Sequence, residues 1–175
     1  MKNSRQMINW STLTHDNWLF YLAATPKGLC YVGSPNGSFT EMKDWVTRRI
    51  PEFELKEDDQ VLNPYKVELL EYFNGKRESF TYSIDAQGTS FQQEIWNALK
   101  RIPYGETYTY SQIAEWIQKP TAVRAVGTAI GANPVLISVP CHRVIGKNGT
   151  LTGYRGGLDM KKYLLHLEKG EGTNG

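Results

Sequence analysis

The stretch that most restricts how this chain can fold runs from Asn133 to Val144 and reads Asn-Pro-Val-Leu-Ile-Ser-Val-Pro-Cys-His-Arg-Val. Pro140 has no backbone N–H and disfavours helical geometry in the residue before it, so the chain enters Cys141 extended and in one direction. The apolar run Val135-Leu136-Ile137-Ser138-Val139 implies buried backbone, which sets the thiol at the edge of a core. With His142 and Arg143 as neighbours, thiolate is favoured over thiol. The same residues also describe an inert cysteine packed in a hydrophobic strand, since free cysteine is among the most buried residue types. Local sequence leaves both readings open.

At 175 residues there is room for one domain or two small ones with a real core. A formal net charge of +2 gives no global basic field, so any nucleic-acid footprint must be local. The two cysteines, Cys30 and Cys141, form neither a disulfide framework nor a metal-ligand spacing. A cytoplasmic protein with free thiols, no metal and no cofactor is expected. Met1-Lys2-Asn3-Ser4-Arg5 is not followed by a leader-type apolar segment, and no run reaches membrane-spanning length.

In the N-terminal half, Trp18 to Ala24 and Leu29 to Val32 are β-rich runs joined by Thr25-Pro26-Lys27-Gly28, a hairpin connection with Cys30 in the second strand's core. Ser38-Phe39-Thr40-Glu41 has capping-box spacing and opens a helix with Met42, Trp45, Val46 and Ile50 on one side, stopped by Pro51. Asn63-Pro64 reads as the start of the next helix, and Asn74-Gly75 as its end. Phe80, Tyr82 and Ile84 alternate with polar residues as in a half-buried strand. The expectation is a small α+β unit over residues 1–86 with a mostly antiparallel sheet. Ile84 to Thr89 leads out of it.

Residues 87–175 change character. Ser90-Phe91-Gln92-Gln93 is a capping box opening a helix with Ile95, Ala98, Leu99 and Ile102 inward. Thr109-Tyr110-Ser111-Gln112 repeats the box, and Lys119-Pro120 ends that second helix. Thr121 can cap a third, whose Ala122, Ala125, Val126, Ala129 and Ile130 form one apolar stripe. The last two helices have helix-turn-helix spacing. Away from the stripe stand Arg124, Gly127, Thr128 and Gly131: one cation among the smallest residues available. Such a face lets a helix backbone approach another surface closely, whether DNA in a narrow groove or the N-terminal half of the same chain. Gly146 to Gly149 and Gly153 to Gly157 flank Thr150-Leu151-Thr152, suggesting a wing-like hairpin and a pocket wall. Leu158 to Lys169 reads as a final helix with Met160, Tyr163, Leu164 and Leu167 inward, followed by a frayed tail from Gly170. Glu168 sits where the macrodipole disfavours a carboxylate, so it needs a local partner or solvent.

Pro140-Cys141-His142-Arg143-Val144, preceded by Asn133-Pro134-Val135 and Arg124-Ala125-Val126-Gly127, closely resembles the O6-alkylguanine-DNA alkyltransferases, or methylated-DNA–protein-cysteine methyltransferases. The resemblance runs from about Ser90 to Lys169 and includes Gly105-Glu106, Tyr110 and Tyr154-Arg155-Gly156-Gly157-Leu158. It implies an α+β chain: an N-terminal ribonuclease-H-like α/β domain, then a helical winged helix-turn-helix domain. It also implies DNA repair by single-turnover transfer of an alkyl group from O6 of guanine, and O4 of thymine, to Cys141. His142 and Glu168 would activate the sulfur through a water, and Tyr110 would act as an acid at N3 of guanine. The implied partner is double-stranded DNA, entered through the minor groove by a monomer, with the nucleotide flipped out. Arg124 would fill the gap in the stack, on a surface that includes Thr121, Ala125, Gly127, Thr128 and Gly131. Asn133 would hold the turn before the cysteine. Main-chain groups at Cys141, Val144 and Arg155 would read the base, with Tyr154 and Leu136 shaping its pocket.

Two positions depart from some relatives. Arg155 replaces a small residue and Leu136 a proline, which leaves open the preference between methyl and larger alkyl groups. The N-terminal half has no cysteine cluster, so neither a zinc site nor the phosphotriester repair of fused relatives is expected. A Cys-His-Glu hydrolase and a non-catalytic helix-turn-helix DNA binder are the alternatives. The first predicts turnover; the second requires sequence-specific contacts that a Gly/Thr face hardly offers.

Overall fold

The computed structural model describes residues 5–170, and the chain divides between Gln87 and Gly88 into two units of mixed helix and strand. The expectations for the extreme N-terminus and for the tail beyond Gly170 lie outside the described residues.

In the first unit, β1 (Gln6–His15) turns through Asp16 and Asn17 into β2 (Trp18–Thr25), which returns through Pro26-Lys27 into β3 (Gly28–Val32). The sheet order is β3-β2-β1-β4, with β4 (Phe53–Glu57) parallel to β1 and the other pairs antiparallel. The sheet is therefore mixed, because the chain reaches β4 through a helix that crosses over. That helix, α1 (Phe39–Arg49), is capped by the Ser38 hydroxyl, which accepts the Glu41 N–H at 3.0 Å. It buries Met42, Trp45 and Val46 in a cluster with Ala23, Cys30 and Tyr31. Strand alternation turns Phe20 to the opposite face, where its ring meets Phe73 of α2 (Asp59–Phe73).

Two expectations for this unit fail. Helix α2 begins at Asp59, capped by Asp58, whose side chain accepts the Val61 N–H at 3.1 Å. Pro64 lies inside that helix, close enough to its start that only the bond its N–H would have made to the Gln60 carbonyl is missing. Residues 80–84 do not form a strand; a single bridge joins Ile84 to Leu29. Their alternation instead packs Phe80 on Tyr72 and Tyr82 on Tyr65, both rings of α2.

The second unit opens with α3 (Ser90–Leu99). Its capping box is Thr89 with Gln92, one residue earlier than the Ser90 box read from sequence. Helix α4 (Tyr110–Trp116) has its box at Thr109 and Gln112. The next helix, α5 (Val123–Gly131), follows Ala122 with no side-chain cap, so Thr121 does not cap it. Val126, Ala129 and Ile130 are buried on α5, whereas Ala125 is exposed and leaves the expected core stripe. Trp96 of α3 is buried and donates its indole N–H to the Ala129 carbonyl at 2.9 Å, tying the two helices together. A short parallel pair joins β5 (Tyr108–Thr109) to β6 (Val144–Ile145). The expected wing hairpin is missing: residues 150–157 form no ladder, although the Gly146 N–H reaches the Thr150 carbonyl at 2.7 Å. Last comes α6 (Leu158–Glu168), which buries Met160, Lys161, Leu164, Leu165 and Glu168, leaving Tyr163 and Leu167 half-buried. Among the described residues no helix is long and apolar enough to cross a membrane.

Gly28 supplies a stability test. Its φ is +151°, and a Cβ there would fall 2.5 Å from the Ser83 carbonyl oxygen. Gly28→Ala is expected to lose at least ~2 kcal/mol in urea unfolding. At Gly75, where φ is +74° and nothing lies within 4 Å, alanine should cost only about 1 kcal/mol.

Candidate active site

Asn133, fully buried just past α5, organises the turn that carries Cys141. Its Nδ2 donates to the Val139 carbonyl at 2.9 Å and to Cys141 Sγ at 3.2 Å, while its Oδ1 accepts the Val135 N–H at 2.9 Å. These three bonds fold residues 133–141 into a turn, with Ile137 at φ 72°. The buried apolar run is thus not a strand. Cys141 then opens a single 3₁₀ turn, Cys141–Arg143, with its thiol residue only 4% exposed.

Sequence adjacency to Arg143 does not make a thiolate. Arg143 turns away: Nε and Nη2 donate to the two Glu168 oxygens at 2.8 and 3.0 Å, and Nη1 donates to the Ile102 carbonyl at 2.7 Å. Burial pushes the Cys141 thiol above its ordinary pKa, and the Asn133 hydrogen bond and the charges of Arg155 and Lys161 only partly offset it. At rest the sulfur is protonated.

His142 is fully buried, and its Nε2 lies 2.7 Å from Glu168 Oε2. Burial lowers the pKa of the imidazole despite the pull of Glu168, so the ring is neutral. An ionised Glu168 demands a donor from Nε2, which places the acceptor lone pair on Nδ1. Burial would raise the pKa of Glu168, but His142 and Arg143 together outweigh it and bring it to about 2. Glu168 Oε1 also accepts the Gly105 N–H at 3.2 Å. The awkward carboxylate at the end of α6 is therefore a buried hub.

On α5 and its surroundings, Thr121, Arg124, Ala125 and Thr128 are exposed and line a groove of about 630 Å³ together with Phe91 of α3. Gly131 is exposed with open space around it, but Gly127 is half-buried and faces the Tyr110 ring. Gly127 therefore belongs to the packing under Tyr110 and not to the open face. Tyr110 Oη accepts a hydrogen bond from Thr152 Oγ1 at 3.2 Å.

The wall near the sulfur is built by residues 152–157. Tyr154 has a buried hydroxyl that makes no hydrogen bond among the described residues. A Cβ on Gly156 would fall 2.6 Å from the Tyr154 ring, 2.8 Å from Met160 Sδ and 3.2 Å from Leu136 Cδ1, so three segments converge there. Arg155 Nε donates to the Asn133 carbonyl at 2.9 Å. Val144 is buried, and its carbonyl accepts from Lys161 Nζ at 2.6 Å; the same ammonium reaches the Thr152 carbonyl at 2.8 Å.

The sequence matches two family descriptions: "6-O-methylguanine DNA methyltransferase, ribonuclease-like domain" over residues 8–86 and "6-O-methylguanine DNA methyltransferase, DNA binding domain" over residues 90–170. An inducible methylated-DNA–protein-cysteine methyltransferase of Bacillus subtilis is 56% identical over 169 residues, covering 97% of this chain and 94% of that one. This chain belongs to the methylated-DNA–protein-cysteine methyltransferase family. Among solved structures, the O6-methylguanine methyltransferase of Mycobacterium tuberculosis superposes with a TM-score of 0.81 at 37% identity, covering 97% of each chain. A Mycobacterium tuberculosis OGT in complex with DNA gives 0.75 at 36% identity over 94% of this chain and 93% of that one. Within this methyltransferase family member, Lys161 is a buried residue near the cysteine that sequence reading gave no role, and Arg143, read there as a cation favouring thiolate, instead binds Glu168. The signal for Lys161 was present, since Lys161, Leu164, Leu165 and Glu168 share one helical stripe, overlapping the stripe chosen from hydrophobicity.

Glu168 also fixes a pH dependence. Its folded pKa lies below the ordinary carboxylate value of 4.5, so its stabilising contribution is complete above pH ~4.5 and is lost as pH falls toward ~2. Glu168→Gln is expected to lose about 3 kcal/mol at pH 7. Its unfolding free energy should also lack that acid-side fall, as measured by urea titrations at pH 7, 4 and 3.

Proposed function

We propose that this protein repairs alkylated DNA by one transfer per molecule, from O6 of guanine, and O4 of thymine, to Cys141. The observation that carries the reading is a buried thiol held by Asn133, followed directly by an imidazole whose far nitrogen is committed to an ionised Glu168. In this reading a water passes the thiol proton to His142 Nδ1, and Glu168 stabilises the imidazolium. Sulfur then forms its bond to the alkyl carbon as the carbon–O6 bond breaks in line. The electron pair left on guanine is neutralised by a proton from Tyr110 at N3. Thr152 donates to Tyr110, which leaves the tyrosine's own hydrogen for the base. The proton on His142 returns to the phenolate through solvent. A thioether has no leaving step, so the protein is consumed.

The target carbon is inaccessible in a stacked duplex, so the nucleotide must turn out. Arg124 projects from the exposed face of α5 and takes its place in the stack, with Thr121, Ala125, Thr128 and Gly131 against the backbone. Small side chains suit a minor-groove approach, which reads little sequence and therefore serves repair at any site. Gly127 gives Tyr110 its seat. Main-chain groups at Cys141, Val144 and Arg155 read the base edge, and Tyr154 and Leu136 bound the alkyl group. The protein acts as a cytoplasmic monomer and needs no cofactor.

Intact-protein mass spectrometry after incubation with O6-methylguanine duplex should show a permanent gain of one methyl group, mapped to Cys141. Repeated turnover without mass gain would favour the hydrolase reading instead. Cys141→Ala should bind duplex normally and gain nothing. Arg124→Ala should slow duplex repair about tenfold more than reaction with free O6-alkylguanine, a difference of ~1.4 kcal/mol. Equal losses on both would remove Arg124 from flipping.

A further inference from the structure

Arg155 joins two parts of the site that alkyl transfer needs to keep in register. Its Nε donates to the main-chain carbonyl of Asn133 at 2.9 Å, and the side chain of that same Asn133 donates to Cys141 Sγ at 3.2 Å. The wall residue Tyr154 immediately precedes Arg155, and Gly156 immediately follows, at the point where the Tyr154 ring, Met160 and Leu136 converge. The start of the wall is fixed separately, through the Thr152 carbonyl on Lys161. Outward movement of the wall to admit a large group would break the Arg155 bond and pull on the residue that holds the sulfur.

We propose that Arg155 is a positioning residue that latches the Tyr154 wall to the Asn133 turn, and that this latch favours methyl over bulky alkyl groups. The assignment rests on the alkyl-transfer reading. Arg155 also brings a cation whose charge favours the Cys141 thiolate. The other charged or titratable groups around the sulfur are Lys161 on α6, neutral His142, Tyr154, whose phenol burial keeps protonated, and Glu168, which Arg143 offsets. Replacing Arg155 removes none of these groups.

The test uses the full chain with Arg155→Ser and Arg155→Lys. The first measurement is the ratio of rates on O6-benzylguanine and O6-methylguanine in one duplex. The second is the pH midpoint for iodoacetamide alkylation of Cys141, located by peptide mass mapping. For Arg155→Ser the benzyl-to-methyl ratio should rise about tenfold, and the midpoint should move up by about one pH unit because thiolate loses a favourable charge. Arg155→Lys should keep the midpoint within about half a unit of the parent while raising the ratio, since an ammonium keeps the charge but not the guanidinium geometry. A general loosening would slow both alkyl groups alike. A ratio or a midpoint unchanged in Arg155→Ser overturns the assignment. The iodoacetamide arm needs no DNA chemistry. Failure of the parent protein to take an alkyl group from DNA would therefore sink the transfer reading while the midpoint still judges Arg155.

Discussion

One carboxylate, buried at the end of α6, holds the chemistry of the second unit together. Glu168 binds His142 through one oxygen, and Arg143 reaches both. An unpaired charge in that position would be expelled or protonated; with two basic partners and the Gly105 N–H it stays ionised. The geometry has a further effect. Burial keeps His142 neutral, with a smaller push from Arg143, and the ionised carboxylate that Arg143 helps to hold sets its tautomer. An arginine two residues past the cysteine in sequence thus meets Glu168 and not the sulfur.

Asn133 plays the corresponding part for the backbone. A buried amide with three hydrogen bonds replaces the ladder that a strand would have provided, so an apolar run can turn back on itself without stranding its polar groups. The cost of a left-handed Ile137 is borne inside that framework. The family match over residues 90–170 and the structural likeness to the Mycobacterium tuberculosis methyltransferase describe the same scaffold. Helix α5 ends where Asn133 begins, and the DNA-binding domain and the cysteine turn are therefore one continuous piece of chain.

Legibility followed the kind of force involved. The starts of the capped helices α1, α3 and α4 were readable within a residue, because caps are local and Ser, Thr and Gln announce them. Helices α3 and α4 nevertheless stop at Leu99 and Trp116, a few residues before the prolines read as their ends. The start of α2 was misread because Asn63-Pro64 carries a strong start signal that Asp58 pre-empts. Residues 80–84 alternate like a strand, yet their rings pack on a helix, and alternation alone cannot say what lies opposite. In α6 Met160 and Leu164 are buried as read. The buried face extends to Lys161, Leu165 and Glu168 and not to Tyr163 and Leu167, since Lys161 and Glu168 count as polar until their partners are seen.

The order Pro-Cys-His-Arg, the Arg124 segment and the spacing to Tyr154 were sufficient in the amino-acid sequence to reach the family and to single out Cys141, because these depend on residue identity and short-range chain geometry. The protonation state of Cys141, the double engagement of Glu168, the withdrawal of Gly127 beneath Tyr110 and the bond from Arg155 to Asn133 were decided only by tertiary structure. Each depends on burial or on a partner that lies far off along the chain. Desolvation and long-range pairing are properties of the packed interior, and no local stretch of sequence contains them.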